Sequence, residues 1–415
     1  ACPMSISEKD RDLLRGLGKQ VAEIAALPVQ QETISLWKAL NGLKPLRPMV
    51  TIDQVCWHEM DVDGELALQT EDEFCRGIET ALRRTVYSWK HMPVDMVVEP
   101  VVEISKVIHG DGFGVDVVER AAISDPENDV YGHAYIDQFE TEDDLKKIRE
   151  PEVRLDEQAT AQAEEKAREI FDGVLTVRMQ GRFPVFAPWD IITCWRSPEH
   201  AILDLVDRPE FMHRMMSRLT EVHLSLLDQL EAQGLLGVGQ RLIHCTGAYT
   251  DELPAPGFDS AHVRSQDLWT YGMAQVFAAV SPPMHKEFWL DYAVKWFSRF
   301  GLGYYGCCEP LDGKIDIIRA VPHVRKISMS PWVDVERGAE RIGRDFVFSR
   351  KPSPALLAGE TWEPSRVEAD LLETLEACAR HGCPVELILK DISTVCYQPQ
   401  RLWEWAHIAK RVVEQ

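Results

Sequence analysis

Along the first 44 residues apolar side chains return every three or four positions: Leu13, Leu14, Leu17, Val21, Ile24 and Ala25, then Ile34, Trp37 and Leu40, with Gly42 closing the run. That spacing puts one apolar stripe on a helical surface and predicts a helical lead-in. The pattern then changes. Residues 48–55 and 96–108 are rich in Val and Ile and predict strands, with a helix over residues 71–88 between them, a β-α-β unit. Gly110-Asp111-Gly112-Phe113-Gly114 follows. Because no helix opens directly after these glycines, they predict a hairpin rather than a phosphate loop, with residues 115–122 as the returning strand. Residues 139–170 are charged and amphipathic and end in a helical run over 159–171, which predicts a cover on the outside of the fold.

From residue 174 the alternation becomes regular. Strands are predicted at 174–179, 241–245, 273–280, 303–307, 326–329, 345–348 and 385–389, with helices at 285–299, 314–320, 333–341 and 363–380 among the segments between them. One long helix is announced by Asp207-Arg208-Pro209-Glu210, an acidic N-cap with proline in the first turn. It continues through Phe211, Met215, Leu219, Val222, Leu226 and Leu230 to Gly234. Repeated βα units of this number predict an α/β fold, a (β/α)8 barrel of TIM type. Residues 1–47 form its helical N-terminal extension, residues 48–415 the barrel, and residues from about 109 to 170 a hairpin insertion.

Charge narrows the function classes. The chain has 415 residues, with 45 Lys and Arg against 67 Asp and Glu, a formal net charge of −22. Without a basic stripe, a nucleic-acid or anionic-membrane surface is disfavoured. No apolar run reaches the ~18 residues that a membrane span needs, and the first ten residues lack a basic or apolar leader, so a cytoplasmic location is expected. Ten cysteines are too few for a disulfide scaffold and are expected as reduced thiols, some of them ligands.

In a barrel of this type the chemistry sits after the C-terminal ends of the strands. After the first strand come Cys56-Trp57-His58-Glu59, where His58 or Glu59 is a candidate acid, base or donor and Trp57 either packs the loop or lines a pocket. The segment from Gln180 to Trp189 and Asp190 suits a substrate wall, with Asp190 as wall or helix cap. His244-Cys245-Thr246-Gly247 leads to Tyr249, Asp251 and Glu252, the densest polar cluster in the chain. Gly303-Tyr304-Tyr305-Gly306-Cys307-Cys308-Glu309-Pro310 ends an apolar strand in two thiols and a carboxylate, donors that zinc accepts. One of the two thiols is expected in the core, since consecutive strand residues alternate in direction. Lys390 and Asp391 close the last strand as a rim ion pair or as a holder of an anionic substrate group, with Cys396 just beyond.

Several of these segments together resemble the uroporphyrinogen decarboxylase superfamily, in the branch found beside corrinoid-dependent methyl transfer. The resemblance covers most of the chain. It is carried by Trp189-Asp190, by residues 204–210, by His244 to Pro254, by Gly306-Cys307-Cys308-Glu309-Pro310-Leu311, and by Arg401-Leu402-Trp403-Glu404-Trp405. The decarboxylases themselves carry an arginine-rich motif of the type M-R-Q-A-G-R after the first strand. This chain has Asp53-Gln54-Val55-Cys56-Trp57-His58-Glu59-Met60 there, which disfavours porphyrinogen decarboxylation. The superfamily's zinc methyltransferases use an H-x-C pair and a later Cys; here the pair falls on Gly306-Cys307-Cys308, keeping the thiol and losing the His.

The resemblance implies a methyltransferase or demethylase that moves a methyl group between a small methylated donor, for example a methoxylated aromatic, and a corrinoid protein. Glu309, His244, His58 and Glu59 are its expected catalytic residues, and Trp57, Trp189, Asp190, Tyr249, Tyr305, Lys390 and Asp391 its expected substrate contacts. An altered zinc site would draw on Cys308, Glu309, His244 and Cys396. Barrels of this family often pair, so a homodimer is an expectation too. The D-x-H-x-x-G pattern that supplies a lower cobalt ligand is absent, so the corrinoid is expected on a partner protein. Three alternatives stay open: methyl transfer from corrinoid to a thiol with zinc, decarboxylation of a small acid, and a noncatalytic barrel that binds a corrinoid protein.

Overall fold

The structure, a computed structural model, describes residues 6–122 and 132–415. Parallel strands carry the fold: β1 (Met49–Ile52), β2 (Val101–Ser105), β3 (Thr176–Gln180), β4 (Trp269–Gly272), β5 (Leu302–Tyr305), β6 (Val324–Met329), β7 (Val347–Arg350) and β8 (Val385–Leu389). Six form one sheet in the order β1-β8-β7-β6-β5-β4, and β2 pairs with β3. Segments flanking β2 and β3 are bonded to the larger sheet. The Asp95 N–H donates to the Val50 carbonyl at 3.1 Å, and the Phe186 N–H to the Tyr271 carbonyl at 3.0 Å. The strands thus follow one another around a circuit with ladders along most of it, the α/β arrangement of a TIM-type barrel. β5, β7 and β8 are buried along their whole length, as parallel strands covered on both faces must be.

The helical lead-in is two helices, α1 (Glu8–Ala25), capped by Ser7, and α2 (Val29–Asn41). Leu14, Leu17 and Val21 of α1 pack with Ile78 and Leu82 of α3 (Glu73–His91) and with Phe171 of α4 (Glu157–Phe171). Trp37 of α2 enters a cluster with Met49 and Val347, and its indole N–H donates to the Asp95 carbonyl at 2.9 Å. The lead-in is therefore packed onto the barrel strands.

Four sequence expectations are corrected. Residues 115–122 do not return along the 96–108 strand. Ile108–His109 pairs instead with Arg154–Leu155, and Glu119–Ala122 with Gly132–Tyr135, two nested antiparallel pairs. Residues 241–245 are not a barrel strand but the first arm of a tight hairpin, Leu242–Ile243 against Thr246–Gly247. Residues 273–280 form a turn, with 3-10 helix at Gln275–Ala279, while the strand lies earlier at β4; a short apolar run carries no periodicity to separate the two. Asp207 closes α5 (Pro198–Asp207) rather than capping α6 (Pro209–Ala232), because the proline ring keeps Arg208 out of helical conformation, at φ −140°.

The 242–247 hairpin matters most, because it sits inside the strand circuit. The Thr51 hydroxyl on β1 donates to the Cys245 carbonyl, and Lys326 on β6 to the Gly247 carbonyl, at 3.1 and 3.2 Å. A Cβ at Gly247 would lie 2.6 Å from the Trp37 ring, so only glycine lets the hairpin settle on α2.

Candidate functional site

The end of β5 builds the centre of the mouth. Gly306 has φ +91°, and a Cβ there would stand 2.4 Å from Leu311, so glycine alone makes this turn. The turn places Cys307, 5 % exposed, inward, and leaves Cys308 exposed. Lys390 at the end of β8 donates to the Cys307 sulfur at 3.3 Å, and the two sulfurs lie 3.6 Å apart. Asp391 stands beside them, 3.9 Å from the Cys308 sulfur and 3.7 Å from Lys390.

His244, at the hairpin turn with φ +53°, stacks on Tyr304 with ring centroids 5.1 Å apart and meets Tyr271 edge-on. Below it Lys351 donates to Ser328 and Tyr304, and Ser328 donates to the Cys307 carbonyl at 2.6 Å.

These neighbours set the charges. The hydrogen bond from Cys308, with His244 and Lys351, holds the Cys307 thiol well below its ordinary range against the opposing effect of burial. The Cys308 thiol is pushed up, first by that same bond and then by burial. Burial also lowers His244, which favours a neutral imidazole. Burial disfavours a charged Lys390, but Cys307, Cys245 and Asp391 outweigh it and hold the ammonium. These directions favour a thiolate on Cys307 against the Lys390 ammonium, with the proton of the pair on Cys308.

Glu309 lies behind this group, 1 % exposed. It accepts the Cys307 N–H at 2.9 Å and the Ala274 N–H at 3.3 Å, and burial pushes its pKa up to about 7. Asp190 accepts from the Gln275 side chain at 2.7 Å, and burial raises its pKa too. Of the residues expected from sequence, His244, Cys308, Lys390 and Asp391 thus gather at the mouth, with Glu309 behind them.

Others are placed elsewhere. Glu59 accepts from the Thr394 hydroxyl and the Val395 and Tyr397 N–H groups at 2.7, 2.7 and 3.1 Å, so it pins the loop after β8. His58 stands 3.7 Å from Glu59 and edge-on to Tyr397. Trp189 and Tyr305 are fully buried, the first donating to the Phe288 carbonyl and the second accepting from the Trp289 indole. The Tyr249 hydroxyl donates to Glu99 at 2.8 Å. Cys396 points at the Ala358 and Gly359 carbonyls, 3.5 and 3.8 Å away, not at Cys308.

Among the described residues no three His, Cys, Asp or Glu side chains are grouped so as to hold a metal ion. With Cys396 turned away and both Glu309 oxygens on backbone N–H groups, the Cys308, Glu309, His244 and Cys396 set does not fit a zinc site. From sequence Lys351 reads as positive charge near the mouth and Tyr304 as part of the strand that ends in the two thiols, whereas Tyr271, just ahead of the predicted 273–280 strand, gives no signal.

Two cavities flank the loop that carries Asp53 to Trp57. One, of about 300 Å³, is lined by Asp53, Trp57, Met92, Cys245 and Tyr249 among others. The other, of about 740 Å³, is bounded by Trp57, His58, Arg83, Arg84 and Asp391.

Fold and site together define an α/β protein of TIM-barrel type with a thiol-bearing mouth. No family model matches the chain, and no curated protein matches it. Among solved structures it is similar to a methyltransferase from Methanosarcina mazei, at 12% identity and a TM-score of 0.51, over 92% of this chain and 99% of that one. At that identity the likeness is one of fold. No helix among the described residues is long and apolar enough to cross a membrane.

Proposed function

We propose that the protein is a methyltransferase that removes a methyl group from a small donor, such as a methoxylated aromatic, and passes it to a corrinoid carried by a separate protein. The observation that supports this reading is the cluster of Cys307, Cys308, Lys390 and His244 at the strand ends, whose chain neighbours Cys245 and Asp391 line cavities of about 300 and 740 Å³. The corrinoid supplies the nucleophile, so the barrel's task is to help the leaving oxygen depart. An ether oxygen leaves poorly unless it receives a proton. Lys390, whose ammonium reaches the Cys307 sulfur at 3.3 Å, is the group this reading assigns to the leaving oxygen. Glu309 acts as a positioning residue, because its oxygens hold the backbone of the Cys307 turn. Trp57 and Tyr249 line the apolar wall against which an aromatic donor packs.

The partner would cap the same face. Trp332 and Tyr397, on the loops after β6 and β8, are 78 % and 66 % exposed and offer aromatic anchors. The test is a panel of methoxylated aromatics incubated with the protein and a reduced corrinoid protein, with the demethylated product followed by chromatography. Product is expected only when the corrinoid protein is present, and it falls at least tenfold in Lys390→Met. Absence of product from every donor, or product formed equally well without corrinoid, refutes the proposal.

A further inference from the structure

The Cys307 and Cys308 sulfurs, 3.6 Å apart, are neighbours both in sequence and in space. They are not alike in access: Cys308 faces solvent while Cys307 is buried beneath it, so a ligand meets one sulfur first and is then closed upon by the other. The turn that presents them is fixed from both sides, by the positive φ of Gly306 and by the Glu309 carboxylate on the Cys307 N–H. Lys390 stands on the inner sulfur at 3.3 Å and Asp391 near the outer one at 3.9 Å. Such a surface disfavours an anion at the entrance but leaves a neutral, thiol-seeking electrophile unopposed.

We propose that Cys307 and Cys308 form a dithiol site for trivalent arsenicals of the type R–As(OH)2. Two S–As bonds form and two As–OH bonds break. The proton of Cys308 and the proton shared by Cys307 and Lys390 leave with the two hydroxides as two waters, and no oxidation state changes. A third ligand is not needed, which suits a place that offers two sulfurs and, among the described residues, no trio of His, Cys, Asp or Glu grouped to hold a metal ion. A second pair that interacts among the described residues, Cys378 and Cys383, is buried, with the Cys383 thiol donating to the Ala339 carbonyl at 3.1 Å, and it serves as an internal control.

The test uses the reduced full-length protein and phenylarsine oxide, read by intact mass and by titration of the ten thiols. The expected result is one adduct per chain and the loss of two titratable thiols. The adduct should be released by 2,3-dimercaptopropanol and withstand an equal concentration of thiol groups supplied as 2-mercaptoethanol. Cys307→Ser and Cys308→Ser should each abolish it, whereas Cys378→Ser keeps it; circular dichroism of Cys308→Ser, at an exposed position, shows that the fold is intact. No adduct on the wild type, an adduct that persists in both Ser variants, or one that 2-mercaptoethanol removes as readily overturns the proposal. Since the readout is mass rather than turnover, it stands or falls separately from methyl transfer.

Discussion

Cys307 is the residue on which the neighbours of the mouth converge, and they lower its thiol toward the thiolate. A free thiol ionises at about 8.5, and it falls when donors and cations surround the sulfur. Here the largest contribution is the Cys308 hydrogen bond, while Lys390 touches the sulfur directly. Removing either, in Cys308→Ala or Lys390→Met, should move the Cys307 titration upward. The thiolate fraction at pH 6 then falls, and with it the rate at which iodoacetamide labels the Cys307 peptide, by roughly tenfold or more. An unchanged pH midpoint of labelling in both variants would show that neither group holds the charge. From sequence the two thiols and Glu309 stood out, but not which thiol turns inward. Alternation decides direction only where one face of a strand is wet, and β5 is buried on both faces. Glu309 reads as an acid, and nothing in its neighbours in sequence reveals that two backbone N–H groups converge on its carboxylate.

At the scale of elements, the loop after β8 shows how one carboxylate can organise a segment. Asp391, Cys396 and Tyr397 all have positive φ, at 55, 55 and 54°, which non-glycine residues adopt at a cost. Glu59, from the 3-10 turn after β1, repays that cost with bonds to Thr394, Val395 and Tyr397. β1 and β8 are adjacent in the sheet, so the clamp joins two neighbouring strand ends. Glu59→Ala should destabilise the protein by about 1–3 kcal/mol, the range for buried hydrogen-bonding groups left unpaired. Amide exchange should quicken at Val395 and Tyr397 well before the rest of the sheet. Uniform exchange throughout would show that Glu59 contributes globally rather than through this loop. The long amphipathic helices and β8 were legible, because periodicity over many residues is a strong signal. The hairpin at 242–247 was not, since its two-residue arms have no period and its place is set by contacts with Trp37 and Lys326, distant in sequence.

For the whole molecule the telling feature is an ion pair buried in the barrel interior. Lys326 and Glu386 are both fully buried, 2.8 Å apart, on β6 and β8. Thr246 of the hairpin donates to Glu386 at 2.7 Å, and the Lys326 ammonium lies over the Trp37 and Trp269 rings. Strand, hairpin and N-terminal helix therefore meet at a single charge pair. Both ions have left water, and their attraction offsets that loss only while the geometry is complete. Burial already depresses the Lys326 pKa against the pull of Glu386. The other Glu386 oxygen finds no hydrogen-bond partner among the described residues, so compensation is partial. Lys326→Met should then cost about 3–5 kcal/mol, because it strands a buried carboxylate, whereas Lys326→Met with Glu386→Leu should recover most of the loss. Chemical denaturation of the three proteins measures both steps. If the double variant is as unstable as the single one, the pair contributes net stability and the barrel's interior is held by charge. If it recovers, packing of the tryptophans and the hairpin holds the interior, and the pair's role is to fix where the hairpin enters.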